Sequence, residues 1–192
     1  MSDPVRALVV YESLFGNTER IAGAICAGLR SSLQVELVRV DRAPVVLPAE
    51  LELLVVGGPT HAFGMSRHAG RVLSASAQGP VVMPLHTGIR DWLDQLRHRQ
   101  GLAATFDTRL AKSRWMPGSA AKSAARVLDR RGYKFLADPA GFLVEDALGP
   151  LVPGELIRAR EWGEQLALSL HSQTRPNTAD TSPGDTDHRH TA

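Results

Sequence analysis

The sequence predicts an α/β fold, a doubly wound five-stranded parallel sheet with helices on both faces. Three observations carry that prediction. Apolar runs rich in Val and Leu alternate with amphipathic segments of helical period. The third run, residues 51–58, is nearly continuous Leu and Val, as a strand covered on both faces should be. The first run breaks into a loop of hydroxyls and glycine that leads straight into a helix, the layout of an anion site at a sheet edge.

The elements follow in order. Residues 5–11 form the first strand, and Ile21, Ile25 and Leu29 mark one face of a helix over 17–31. The second strand is 34–40. The next connection, 41–50, holds two prolines and is too short and irregular for a helix. After the third strand, residues 59–101 make one long segment, with a weak helical stretch at 67–77. Only its end, 88–98, is clearly amphipathic, through Ile89, Trp92, Leu93 and Leu96. A loop this long inside a domain is functional or mobile. The fourth strand is 102–106, followed by a helix at 119–132. The fifth strand, 133–144, is broken into two pieces by Asp138-Pro139-Ala140-Gly141, and a last helix spans 154–170. The expected strand order is 2-1-3-4-5, in a single domain over residues 1–171. Residues 172–192, polar and rich in Thr, Pro and Asp, are expected to be a disordered tail.

Composition narrows the function. The chain has 192 residues, 43% hydrophobic and 22% charged, which suits one globular domain. No window reaches the length of a membrane span and the N-terminus lacks a signal-peptide core, so a cytoplasmic protein without membrane partners is expected. Cys26 is the only cysteine, which excludes an intrachain disulfide and a cysteine-based cluster. The seven histidines show no ligand spacing, and no metal site is assigned. A net charge of +2 with scattered basic residues argues against nucleic acid. There is no Gly-x-x-x-x-Gly-Lys-Ser/Thr loop and no Gly-x-Ser-x-Gly elbow, so nucleotide hydrolysis and serine hydrolysis are not supported and no catalytic residue is assigned.

Strand order 2-1-3-4-5 brings three loops to one edge: 12–18, 59–67 and 107–117. The first reads Glu-Ser-Leu-Phe-Gly-Asn-Thr. It holds no Lys or Arg, so an anion there would rest on N–H and hydroxyl donors, and Glu12 opposes it unless its side chain turns away. Ser13, Gly16, Asn17 and Thr18 resemble the phosphate-binding loop of flavodoxins, where hydroxyls and a Gly-Asn-Thr triplet surround the phosphate of flavin mononucleotide (FMN). Leu14 and Phe15 replace positions that are usually hydroxylated or small. The second loop, Gly57-Gly58-Pro59-Thr60-His61-Ala62-Phe63-Gly64-Met65-Ser66, resembles the second flavin loop. Its Phe-Gly-Met-Ser run is also similar to that of flavodoxin-like NAD(P)H:quinone oxidoreductases. Its Pro59 and Thr60 belong to that match. His61 or Phe63 is expected either to stack on a flavin ring or simply to pack the loop, and Gly64 would admit close backbone approach. The third loop lacks the family's glycines. There Trp115 either replaces a tyrosine or enters the core, and Asp107 and Arg109, with Thr108 between them, form an ion pair or touch the flavin.

The resemblance covers roughly residues 5–170. It implies an FMN cofactor, electron transfer, and a redox partner protein or small quinone-type acceptor, the chain being a monomer or weak homo-oligomer. An electron carrier, a quinone reductase and a flavin-free regulatory domain remain open. The basic charge departs from the family, whose single-domain members are typically acidic. An acidic cluster of the phospho-receiver kind is absent, since Glu12 stands alone and the third strand ends Gly57-Gly58-Pro59.

Overall fold

A computed structural model describes residues 6–61 and 64–174. Its strands are β1 (Ala7–Tyr11), β2 (Val35–Arg39), β3 (Leu53–His61), β4 (Gly64–Met65), β5 (Gly101–Leu110), β6 (Tyr133–Phe135) and β7 (Ala140–Val144). Its helices are α1 (Asn17–Leu29), α2 (His68–Gln78), α3 (Ile89–Gln95), α4 (Ala120–Asp129) and α5 (Glu155–Thr174). The parallel sheet runs β2-β1-β3-β5 and then β6, with β7 continuing beside the far half of β5. This is the expected five-position order, and the fifth position is split as the sequence indicates. The break falls at residues 136–139, so Ala140 and Gly141 belong to the second piece.

Alternation along the strands divides the core. Ala7, Val9 and Tyr11 of β1, with Leu53 and Val55 of β3, face α1 and α5. Leu8, Val10, Leu54 and Val56 face α3 and α4. On the first face α1 lies against α5 at very close range. A methyl group on Gly28 would overlap the Arg160 carbonyl and sit 2.8 Å from Glu164 N.

Three features differ from the sequence reading. First, β5 extends to Leu110, four residues beyond the expected end, because β3 pairs with it as far as Thr108 and β7 as far as Leu110. Asp107, Thr108 and Arg109 are therefore strand residues. Second, β3 continues through Pro59, Thr60 and His61, and the short β4 returns antiparallel on it, Thr60 opposite Met65 and His61 opposite Gly64. Third, α5 runs to Thr174, three residues past the expected domain limit, while residues 175–192 lie outside the described ones.

The proline-bearing connection 41–50 forms only a short turn at Val40–Arg42. The sheet face it leaves bare is covered by the long segment after β3. Trp92 of α3, fully buried, donates its indole N–H to Pro44 O at 3.1 Å, and Leu47 joins the same cluster.

The α1–α5 contact yields a direct test. Gly28→Ala is expected to lower stability by roughly 2–3 kcal/mol, since neither backbone can yield without parting the helices. Urea denaturation would read this as a lower midpoint at unchanged slope.

Candidate functional site

The carboxyl ends of β1, β3, β5 and β7 surround a cavity of about 260 Å³. Of the residues expected there, Ser13, Leu14, Phe15, Asn17, Thr18, Pro59, Thr60, His61, Thr108 and Arg109 line it.

The first loop is built around Gly16, whose φ of 89° is a left-handed conformation that favours glycine. Its N–H donates to Ser13 Oγ at 3.0 Å. As the residue before α1 it offers no side-chain cap, so the first N–H groups of the helix have no protein partner among the described residues. The loop's own side chains bind protein. Thr18 Oγ1 pairs with Thr108 Oγ1 at 2.7 Å in the interior, and Asn17 Nδ2 donates to Ala147 O at 3.2 Å. Leu14 is buried and accepts from Val82 N at 2.9 Å, and Phe15 packs at the edge of the core. The two apolar replacements thus anchor the loop to the α3 face and to the segment beyond α2.

Glu12 does turn away. It is 1% exposed, accepts from the Ser66 hydroxyl through Oε1, and takes Ile89 N at 2.8 Å on Oε2. Burial pushes its carboxyl above the usual carboxylate range, against the hydrogen bonds from Ser66 and Ile89. Behind Ser66 stands Arg71, fully buried. It donates to Ser66 Oγ at 2.9 Å, Leu85 O at 2.8 Å and Asp91 Oδ2 at 2.7 Å.

The Asp107–Arg109 ion pair is present. Arg109 Nε and Nη2 reach the Asp107 oxygens at 2.9 and 2.7 Å, and Asp107 also accepts from Ser119 Oγ at 2.5 Å and Ala121 N at 3.1 Å. Asp107 is therefore fully buried under the start of α4 and does not line the cavity, while Arg109 does. Gly141 of β7 leaves the slot for this pair, since a Cβ there would lie 3.2 Å from Arg109 Nε. Gly16 and Gly64 shape the backbone without lining the cavity. Trp115 does not enter the core and lines neither cavity: it is 84% exposed, with the Arg114 guanidinium 4.9 Å above its ring. Phe63 lies outside the described residues.

The sequence reading missed Ser74, Gln78, Leu110, Val144 and Ala147, which complete the lining. Leu110 was hidden by the short estimate of the fourth strand. Val144 and Ala147 follow the fifth strand onto the same edge, so the edge rule itself points to them. Ser74 and Gln78 come from the weakly patterned helix α2. Two side-chain atoms of lining residues, His61 Nε2 and Gln78 Oε1, are buried without a hydrogen-bond partner among the described residues. A second cavity, of about 170 Å³, adjoins the first and shares Thr60, Arg109 and Leu110 with it.

The chain is similar to known flavodoxins. The sequence model of the flavodoxin family matches residues 9–78, which include the first two loops and α2. No curated protein matches the sequence. A flavodoxin from the domain Archaea aligns with a TM-score of 0.60 at 19% identity, over 86% of this chain and 98% of that one. A short-chain flavodoxin associated with a non-canonical PDU bacterial microcompartment gives 0.62 at 16%, over 87% and 99%. A WrbA-like flavodoxin from Agrobacterium tumefaciens gives 0.54 at 18%, over 88% and 99%. The fold is flavodoxin-like.

Burial, aided by the charge of Arg71, holds His61 below the ordinary histidine range. The unfolded chain then takes up a proton at this site first as pH falls, so the folded state loses stability below about pH 6.5 until His61 itself protonates. His61→Gln should flatten that loss. Urea midpoints of both proteins at neutral and mildly acidic pH check it, and equal acid sensitivity would contradict a neutral buried imidazole.

Proposed function

Taking the flavodoxin-like fold and the family match over residues 9–78 as premise, we propose that the cavity holds FMN and that the protein transfers electrons. One observation carries the reading. The cavity joins an uncapped helix start, suited to a phosphate, with buried polar atoms of His61 and Gln78 that lack protein partners. Buried polar groups left unpaired are costly, and a ligand with donors and acceptors removes the cost. That also weighs against a flavin-free regulatory domain.

The residues present fit the group. The backbone N–H groups at the start of α1, with the Ser13 hydroxyl, would hold the phosphate through the helix dipole rather than through a cation. Asn17 and Thr18 act by fixing the loop, since their side chains bond Ala147 and Thr108. Thr60, His61, Thr108 and Arg109 would surround the rest of the molecule. When bound, FMN supplies the one- and two-electron chemistry, and the protein supplies binding and electrostatics. Arg109, oriented by Asp107, brings positive charge to the cavity wall.

A second reading, an NAD(P)H-dependent quinone reductase, is favoured by the Gly64-Met65-Ser66 run and by α2, which gives the cavity a wall. Quinone turnover with NAD(P)H by the FMN-loaded protein separates it from a pure carrier that works with a redox partner protein.

Titration calorimetry should show FMN binding more tightly than riboflavin by roughly tenfold or more, the scale of charge-assisted hydrogen bonds to a phosphate. Equal affinities would remove the phosphate assignment.

A further inference from the structure

Helix α2 lies outside the three loops through which the sequence reading expects the flavin to be held, yet it forms one wall of the cavity. We propose that Gln78, supported by Ser74, is a specificity-determining ligand residue that recognises a hydroxylated chain, namely the ribityl chain of FMN. The inference rests on the flavin reading above and goes beyond it by assigning contacts to the segment between β3 and β5.

Four observations point the same way. Gln78 and Ser74 both line the cavity, one turn apart on α2. Gln78 Oε1 is buried with no donor to accept from, although an amide oxygen shielded from water needs one. The helix is fixed in place: Arg71, one turn before Ser74, is locked to Ser66, Leu85 O and Asp91. Finally, the chain just after α2 is tied to the phosphate loop, Val82 N donating to Leu14 O at 2.9 Å. The Gln78 end of the helix is thus held next to the first loop, whereas Arg109 and the second cavity lie on the β5 side.

Position and chemistry together select the ligand group. Next to a phosphate site, the part of FMN that carries donors is the ribityl chain, whose hydroxyls both donate and accept. An oxygen acceptor from Gln78 and a hydroxyl from Ser74 match it. The fused rings, poor in donors, do not satisfy a buried amide oxygen at that end.

The test compares FMN with a flavin bearing a 5-phosphopentyl chain, which keeps the phosphate and rings and lacks the hydroxyls. Affinities are measured by calorimetry for wild type, Gln78→Leu and Ser74→Ala, with melting temperature as the folding control. Wild type should favour FMN by about tenfold, the scale of a satisfied buried hydrogen bond. Gln78→Leu should lose most of that preference by weakening FMN alone, leaving the phosphopentyl flavin within about twofold. Ser74→Ala, a smaller change that serves if Gln78→Leu does not fold, should lose part of it. An unchanged FMN preference in the folded variants overturns this inference and leaves the flavin reading standing. Failure of wild type to bind either compound overturns the flavin reading and this inference with it.

Discussion

A guanidinium with no access to water holds the segment after β3 to the sheet. The connection from β2 to β3 has too few residues and too many prolines to supply a helix, so one sheet face must be covered from elsewhere. Helix α3 covers it and α2 leads into it. A charge as deeply buried as Arg71 is tolerated only when its donors are satisfied and a counter-charge is near. Ser66, the carbonyls of Leu85 and His86, and Asp91 meet that condition. Asp91 in turn caps Gly88 N at the start of α3, at 2.9 Å. Through Ser66 the network reaches Glu12, the residue immediately before the phosphate-type loop. The cover of the sheet and the back of the candidate site are therefore one hydrogen-bonded unit.

That unit changes what the long segment is. Its length and its Gly, Ser and Pro content suggest a loop that is functional or mobile. The buried Arg71 and its satisfied donors instead make its first half a wall of the cavity. The third loop does less than its position suggests. Asp107 is occupied in orienting Arg109 and binding the start of α4, and Trp115 stands in solvent. The cavity consequently takes its lining from the first loop, the carboxyl ends of β3, β5 and β7, and α2 more than from the loop after β5.

The parts legible in the sequence are those governed by apolar periodicity and by turn chemistry. Strand order, the covered third strand, the split fifth strand and the Gly16–Asn17 entry into α1 all follow from such patterns. The parts that were not legible depend on charges satisfied at long range. The Asp107–Arg109 pair was legible, but residues 107–109 still read as a polar loop because nothing local shows that Asp107 will also meet Ser119 and Ala121. Helix α2 reads as weak because its one fully buried residue is Arg71, which hydrophobic periodicity counts as surface. Ser74 and Gln78 were lost with it. Trp115 went the other way, since a large aromatic suggests burial and composition cannot tell that its flanks leave it uncovered.

On the proposed reading, the first loop would receive an anion without a cation of its own. The side chains that resemble phosphate donors are largely committed to the protein. Thr18 bridges to β5, Asn17 to the loop after β7, Leu14 to the chain beyond α2, and Glu12 to Ser66. Each tie joins the loop to a different neighbour, so its backbone conformation is set before any ligand arrives. Among the described residues, what remains unpaired is the row of N–H groups after Gly16, together with the positive end of the α1 dipole. Nearby negative charge is managed in the same way. Glu19, in the first turn of α1, accepts from the Tyr11 hydroxyl at 2.8 Å, and burial together with that bond pushes the Tyr11 pKa up to about 12. With Glu12 tied back and Glu19 engaged, the loop presents backbone donors in a fixed arrangement. Preorganised donors of this kind need little rearrangement to receive an anion, and their selectivity is one of shape, matched by whatever the walls at Gln78 and Arg109 accept beyond it.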